Sequence, residues 1–559
     1  MEGPLLQIKN LEISFRSGQQ NTSAVKGISF DVHRGKFIAI VGESGSGKSL
    51  TALSILQLLP AAAQVQGQIL FNADHPTSIT QLSNKAIRQI RGNKIAMIFQ
   101  EPMTSLNPVH TCGEQVMESL MLHKKLNRTA AREQTLKLFE EVELPNPSAM
   151  LKRYPHQISG GQKQRVMIAM AMSCQPALLI ADEPTTALDV RVQKNILQLI
   201  KKLQQQQNMA VLFITHDLAL VNETADDVMV MQQGNIVEQG SVIKVLSNPQ
   251  HPYTRALLAC RPQRNSKGKR LPIVADFLQH STPPPAVEWK TPACSRTLLE
   301  VKNLQVHFPL KKNWMGKTSS WVKAVDDVSF DVKENEVLGL VGESGCGKTT
   351  LGRSLLQLIK PTSGKIILNG KELTHLGAAA LRAARKDLQI VFQDPYGSLN
   401  PRISIGDAIL EPLKVHGLYQ NTKQQKEKVI ELLEKVSLHA DHFHRYPHQF
   451  SGGQRQRICI ARALALQPSF LIFDESVSAL DVSVQAQVLN LIQELKASFN
   501  FTSIFITHDL NVVHYISDRI LVMNKGKIVE QGSAHQILEN PTAPYTRQLI
   551  EAMPTQSSL

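Results

Sequence analysis

The sequence predicts an α/β fold written twice in tandem. Two observations carry this. Short apolar runs alternate with helical stretches through each half, the pattern of buried strands joined by helices. A set of landmark residues also recurs at a nearly fixed interval. Lys48 and Lys348 lie 300 residues apart, Gln100 and Gln393 293, and Ser159/Ser451, Glu183/Glu475 and His216/His508 each 292. An interval of that size is a duplicated domain, not a short solenoid repeat. The 559 residues leave room for both copies, and with 42% hydrophobic and 19% charged residues the chain can bury a sizeable core.

Each copy opens on an alternating stretch, Leu6 to Phe15 and Leu304 to Phe308, read as strands. Phe15 is either a core residue or a platform for a flat ring, and an aromatic at Phe308 in the second copy favours stacking. The next strands, 37–41 and 337–341, run straight into Gly42-Glu43-Ser44-Gly45-Ser46-Gly47-Lys48-Ser49 and Gly342-Glu343-Ser344-Gly345-Cys346-Gly347-Lys348-Thr349. Both fit the phosphate-binding loop. Its glycines let the backbone wrap and aim N–H groups at phosphate oxygens, its lysine reaches the outer phosphates, and its hydroxyl (Ser49, Thr349) suits Mg²⁺. Leu50 to Leu59 has helical spacing, which sets the loop on a positive helix end.

Strands ending at Gln100 and Gln393 follow, where an amide can ligate Mg²⁺ and touch a water. The loops behind them, 101–108 and 394–401, are bracketed by prolines. Arg128 to Leu144 and Lys426 to Leu438 read as amphipathic helices. Ser159-Gly160-Gly161-Gln162 and Ser451-Gly452-Gly453-Gln454 then start helices. Serine is a good N-cap, and the glycines allow close approach to an anion. Apolar strands next deliver Asp182-Glu183 and Asp474-Glu475 to a sheet edge. The aspartates suit Mg²⁺ and the glutamates an attacking water. Ala187-Leu188-Asp189 and Ala479-Leu480-Asp481 follow. Last come strands ending in His216 and His508, placed to bond a terminal phosphate and hold the water in line.

This ordered set resembles the ABC-transporter ATPases, over nearly the whole chain and twice. The resemblance implies two tandem P-loop NTPase domains (1–260 and 298–559, joined by a linker, 261–297). Each would hold a mixed sheet core, an α-helical subdomain and an antiparallel β subdomain. It also implies ATP hydrolysis with two ATPs clamped head to tail. Gly42 to Ser49, Gln100, Asp182, Glu183 and His216 would face Ser451, Gly453 and Gln454. Gly342 to Thr349, Gln393, Asp474, Glu475 and His508 would face Ser159, Gly161 and Gln162. Asp189 and Asp481 would lie beside the nucleotides. Ile158 and Phe450 stand where the family usually has Leu, and Ser476 where it has Pro. None carries a catalytic role, so two competent sites are expected.

The loops after Gln100 and Gln393 and the tails His251-Pro252-Tyr253-Thr254-Arg255 and Ala543-Pro544-Tyr545-Thr546-Arg547 resemble the peptide and nickel importer branch. Within it, the chain is similar to fused ATPases of microcin C/oligopeptide import. The implied partners are two membrane permeases and an extracytoplasmic solute-binding protein, with one chain per transporter on the cytoplasmic face of a bacterial inner membrane.

No apolar run reaches the ~18 residues that span a bilayer, and residues 1–4 lack a signal-peptide pattern. Six scattered cysteines have no C-x-x-C pair, so zinc is not expected. Only Cys260 and Cys294 fall where branch members place an iron–sulfur segment. The net charge of +14 suits nucleic acid or anionic lipid, or simply a solvated surface. A ribosome-associated tandem ATPase is the alternative of another class. Those proteins usually carry a long charged helical connector, whereas residues 261–297 contain three consecutive prolines with 7 basic and 2 acidic residues, which predicts an extended, basic tether.

Overall fold

The computed structural model describes residues 3–17, 20–73, 75–100, 105–185, 188–279, 289, 296–312, 318–419, 421–478 and 480–553. The loop residues 101–104, Ala187, Ala479, the proline run, Cys294 and the side chains of 310–312 lie outside that description.

Each half is built on a six-stranded sheet. In the first half the order is Asn235–Ser241, Asp227–Gln232, Phe37–Val41, Ala210–Thr215, Leu178–Asp182, Ile95–Ile98; five strands are parallel and Asn235–Ser241 is the antiparallel edge. The second half repeats it with Leu388–Val391, Phe470–Asp474, Thr502–Thr507, Val337–Val341, Arg519–Asn524 and Lys527–Ser533. The central strands are buried along their whole length and apolar up to their C-terminal ends, where Asp182 and Thr215 stand, because both faces are covered. A four-stranded antiparallel sheet packs against one face of each, with Leu6–Ser17 and Thr297–Lys312 at its centre. Helices Cys112–His123 and Arg128–Glu141, and Ile405–Val415 and Thr422–Lys435, form the helical layers.

The helix after the first phosphate loop runs only over Lys48–Ile55. The apolar residues up to Leu59 keep helical spacing, but the chain turns at Gln57, whose φ is 51°. The larger departure is the tether. Residues 264–266 and 274–279 form short helical segments, and this stretch packs on the second half. Leu271 donates its N–H to Asn490 Oδ1 and accepts from Asn490 Nδ2, both at 2.9 Å. Tyr515 donates its hydroxyl to the Lys269 carbonyl. Leu271 is buried. An apolar anchor with a reciprocal amide outweighs the polar composition that suggested an extended chain.

Candidate functional site

The phosphate loops sit where the parallel strands end and helices begin, the crevice in which open α/β sheets bind ligands. Gly47 and Gly347 have φ of 102° and 112°, and a Cβ on either would press on the Ala24 or Ala324 carbonyl. Glycine is therefore required there. Lys48 Nζ donates to the Gly42 and Glu43 carbonyls, each at 2.8 Å, and Lys348 Nζ to Gly342 and Glu343 at 2.7 and 2.9 Å. Burial lowers the Lys48 pKa against the pull of Asp481, Glu183 and Asp182.

Strand ends bring the acids to the same place. Ser49 Oγ donates to Asp182 Oδ1 at 3.0 Å, and Thr349 Oγ1 to Asp474 Oδ1 at 3.0 Å. Burial pushes the Asp182 carboxyl up to about 6 and Asp474 in the same direction. Asp474 Oδ2 is buried with no protein partner. A buried carboxylate with a free oxygen beside a hydroxyl fits a hard divalent cation. Among the described residues no group of three or more His, Cys, Asp or Glu could hold a metal.

Glu183 and Glu475 both sit at φ 46°, a left-handed conformation uncommon for a side chain of this size. Each N–H is tied to the neighbouring strand, to Ile214 and Ile506 carbonyls. The turn aims the carboxylates at the other predicted residues. Gln100 Nε2 donates to Glu183 Oε2 at 3.1 Å and His216 Nδ1 lies 3.4 Å from it. In the second copy Gln393 Nε2 donates to Glu475 at 2.9 Å, His508 Nδ1 lies at 3.6 Å and Lys348 Nζ at 3.8 Å. Burial alone would raise the Glu475 pKa, but the His508 bond and charge and the Lys348 charge hold it below the usual range. Burial works against the His216 imidazolium, yet its bond to Glu183 and that carboxylate's charge raise its pKa. Glutamine, acid, lysine and histidine thus converge in both copies.

The two Ser-Gly-Gly-Gln segments start helices as expected. Their side chains, however, close on their own helix ends. Ser159 Oγ accepts from the Gln162 N–H while Gln162 Oε1 accepts from the Ser159 N–H, and Ser451 and Gln454 do the same. A Cβ on Gly161 or Gly453 would strike Val192 or Val484. The cavity of about 400 Å³ over the second loop is lined by second-half residues, including Ser344, Thr349, Gln393 and Glu475, and no Ser159–Gln162 residue reaches it. Phe15 is half-buried against the apolar core, whereas Phe308 is exposed, so the two aromatics do not share one environment.

The halves nevertheless meet at the loops, through residues whose partners the sequence did not disclose. Asp481 Oδ2 accepts from the Ser44 N–H at 2.8 Å. Glu43 bonds Ser483 of the second half. Glu343 pairs with Arg191 of the first half at 2.7 Å. Arg191 and Ser483 are 292 residues apart, the repeat interval, and that spacing was the available clue. A cleft of about 100 Å³ between the halves is lined by Glu183 and His216 with Ser478, Leu480 and His508.

A family profile described as "ABC transporter" matches residues 25–186 and 325–478. The chain belongs to the ABC transporter family. A second profile, "Oligopeptide/dipeptide transporter, C-terminal region", matches residues 237–286 and 529–558. The chain is 50% identical over 562 aligned positions to proteins named "Glutathione import ATP-binding protein GsiA" from Escherichia coli strain K12 and Shigella sonnei strain Ss046, covering 99% of this chain and 90% of each relative. A solved dimeric cassette, MJ0796 with ADP and Pi, aligns at 26% identity over 42% of this chain and 99% of its own, with a TM-score of 0.39. This ABC protein is an ATPase that binds ATP, and it serves import through membrane permeases in the peptide-transporting branch. No described helix is long and apolar enough to cross a membrane.

Proposed function

We propose that the chain energises import of short peptides through two permeases fed by an extracytoplasmic solute-binding protein, one chain per transporter, at the cytoplasmic face of a bacterial inner membrane. The observation that carries this is the pairing of both ATPase copies with the oligopeptide/dipeptide tail. The 50% identity to GsiA, whose name specifies glutathione import, makes glutathione-sized peptides the first cargo to test. Apolar residues are exposed at or beside the proline-bracketed loops, Val109 and Tyr396, a surface suited to a partner's cytoplasmic helices.

In this reading residues 1–260 and 298–559 are the two ATPase units. Each ATP lies between the phosphate loop of one half and the Ser-Gly-Gly-Gln helix of the other, with Asp189 and Asp481 alongside. Phe15 and Phe308 lie by the adenines. Lys48 and Lys348 hold the outer phosphates. Glu183 and Glu475 accept a proton from the attacking water, which His216 and His508 keep in line. Ser49, Gln100 and Asp182, and likewise Thr349, Gln393 and Asp474, would hold Mg²⁺, which would supply neutralisation of charge on the phosphate oxygens. Closure around ATP leaves the capping boxes intact, because the Ser159 and Ser451 hydroxyls accept from their own helices and keep their protons to donate to a phosphate, as do the Nε2 groups of Gln162 and Gln454. Hydrolysis then breaks the bond between the β- and γ-phosphates, and departure of the freed phosphate removes the bridging charge and releases the halves.

Uptake of labelled glutathione and di- to pentapeptides in a strain lacking the gene tests the cargo. Loss of peptide uptake, restored by the intact gene, is expected. Unchanged uptake of every peptide, or ATP-dependent co-sedimentation with ribosomes in place of permeases, overturns the reading.

A further inference from the structure

The tail of each copy sends one tyrosine back to its own phosphate loop. Tyr253 lies on the helix Pro252–Ala259 and is wholly buried. Its hydroxyl accepts the Glu43 N–H at 3.0 Å. Tyr545, on Pro544–Glu551, accepts the Glu343 N–H at 3.1 Å. The two tyrosines are 292 residues apart, each within a Pro-Tyr-Thr-Arg run that both copies share, and the contact recurs in both copies.

The peptide between Gly42 and Glu43 is therefore held on both edges. Its N–H donates to Tyr253, and its carbonyl, that of Gly42, accepts from Lys48 Nζ at 2.8 Å. The Gly342–Glu343 peptide is held likewise by Tyr545 and Lys348, the latter at 2.7 Å. Rotation of that peptide would break both bonds at once. A buried N–H without its acceptor carries a desolvation penalty, so the hydroxyl keeps the carbonyl facing the lysine. The tail helix is itself fixed. Glu238 accepts the N–H groups of Gln250 and His251 at 2.8 and 3.1 Å, and Glu530 those of Thr542 and Ala543 at 2.7 and 3.1 Å. Both carboxylates and both tyrosines lie within the segments that match the oligopeptide/dipeptide C-terminal region.

We infer that this C-terminal region braces the nucleotide loop, with Tyr253 and Tyr545 as positioning residues that set the orientation of the first loop peptide and, through it, of Lys48 and Lys348. The brace needs no particular cargo, and it holds whichever peptide the transporter carries.

The test is Tyr253→Phe, Tyr545→Phe and the double variant in the full-length chain, which remove only the two oxygens. Steady-state ATP hydrolysis, binding of a fluorescent ATP analogue and thermal unfolding are compared with Leu257→Ala, which loosens the same tail helix without touching the hydroxyl. The double variant is expected to raise the KM for ATP and the analogue Kd about fivefold, the equivalent of one lost hydrogen bond, with kcat within about twofold. Leu257→Ala is expected to lower the unfolding midpoint and leave KM alone. Unchanged KM and Kd in the double variant overturn the inference. So does a KM rise that Leu257→Ala reproduces, because the tyrosines would then act only by packing.

Discussion

The two copies share a sheet, a phosphate loop and an acid pair, but they do not use them in the same way where they touch. Asp481 crosses to the Ser44 N–H of the opposite loop, and its own helix has no side-chain cap. Its counterpart Asp189 stays home and caps its helix by accepting the Val192 N–H at 3.0 Å. At the repeat-related position beyond, Ser483 meets Glu43 through a neutral hydroxyl, while Arg191 meets Glu343 through a full charge. The lesson is that duplication preserves the chemistry of each nucleotide pocket and lets the contact between pockets drift. Matched motifs predict two competent sites; they do not predict two equal couplings.

The largest effect should come from the residues that the copies share. Glu183→Gln and Glu475→Gln each keep ATP binding and lower turnover on the order of 10²-fold or more, the usual reach of general base catalysis. Single-turnover hydrolysis beside nucleotide binding reads this. A variant with unchanged turnover would mark its copy as degenerate and end the comparison there.

The aspartates should separate the copies. Asp189→Ala removes a helix cap and costs about 1 kcal/mol of stability, read as a lower unfolding midpoint. Asp481→Ala removes no cap but does remove the bond to the Ser44 N–H across the halves, so it should change nucleotide affinity at the first site severalfold, an effect Asp189→Ala does not share. Equal behaviour of the two would show the observed asymmetry to be without energetic content.

Acid should act on the second copy more than the first through His514. Burial, then the charge of Lys267, pushes its pKa down to about 4, with His535 and Arg264 adding to this and Glu539 opposing it. The unfolded chain takes up that proton near pH 6.5. Between about 6.5 and 4 the unfolded state binds more protons, so stability is full above that window and falls as pH drops through it. The expected loss is about 1 kcal/mol by pH ~5.5. His514→Gln should flatten the pH dependence of unfolding across this window; an unchanged profile would remove His514 as its source.

The smallest effect is expected from Arg191→Ser, which copies the first contact into the second. The pair is partly exposed, so its loss costs about 0.5 kcal/mol. That loss should be measurable at low ionic strength and shrink as salt is added.

Much of this was legible in the residues. The strands 37–41 and 337–341 agree to the residue with the apolar runs that mark them, because a strand buried on both faces has no polar positions to blur its ends. The convergence of Gln100, Glu183 and His216 followed from strands ending at one edge. What escaped depends on geometry that no local pattern encodes. The left-handed backbone at Glu183 and Glu475 is imposed by neighbouring strands. The capping boxes turn Gln162 and Gln454 inward because satisfying helix N–H groups takes precedence when nothing else competes. Tyr253 and Tyr545 stood in the sequence as branch markers without a task, since their partner lies 210 and 202 residues away.

The reciprocal bond between Leu271 and Asn490 gives the fusion a property beyond mere tethering. A chain nicked near residue 285 should remain one particle, because its front piece carries a foot already seated on its back piece. Exchanging the order of the halves would leave that foot on the wrong side of the join. The order of the copies along the gene is thus part of how the protein is assembled.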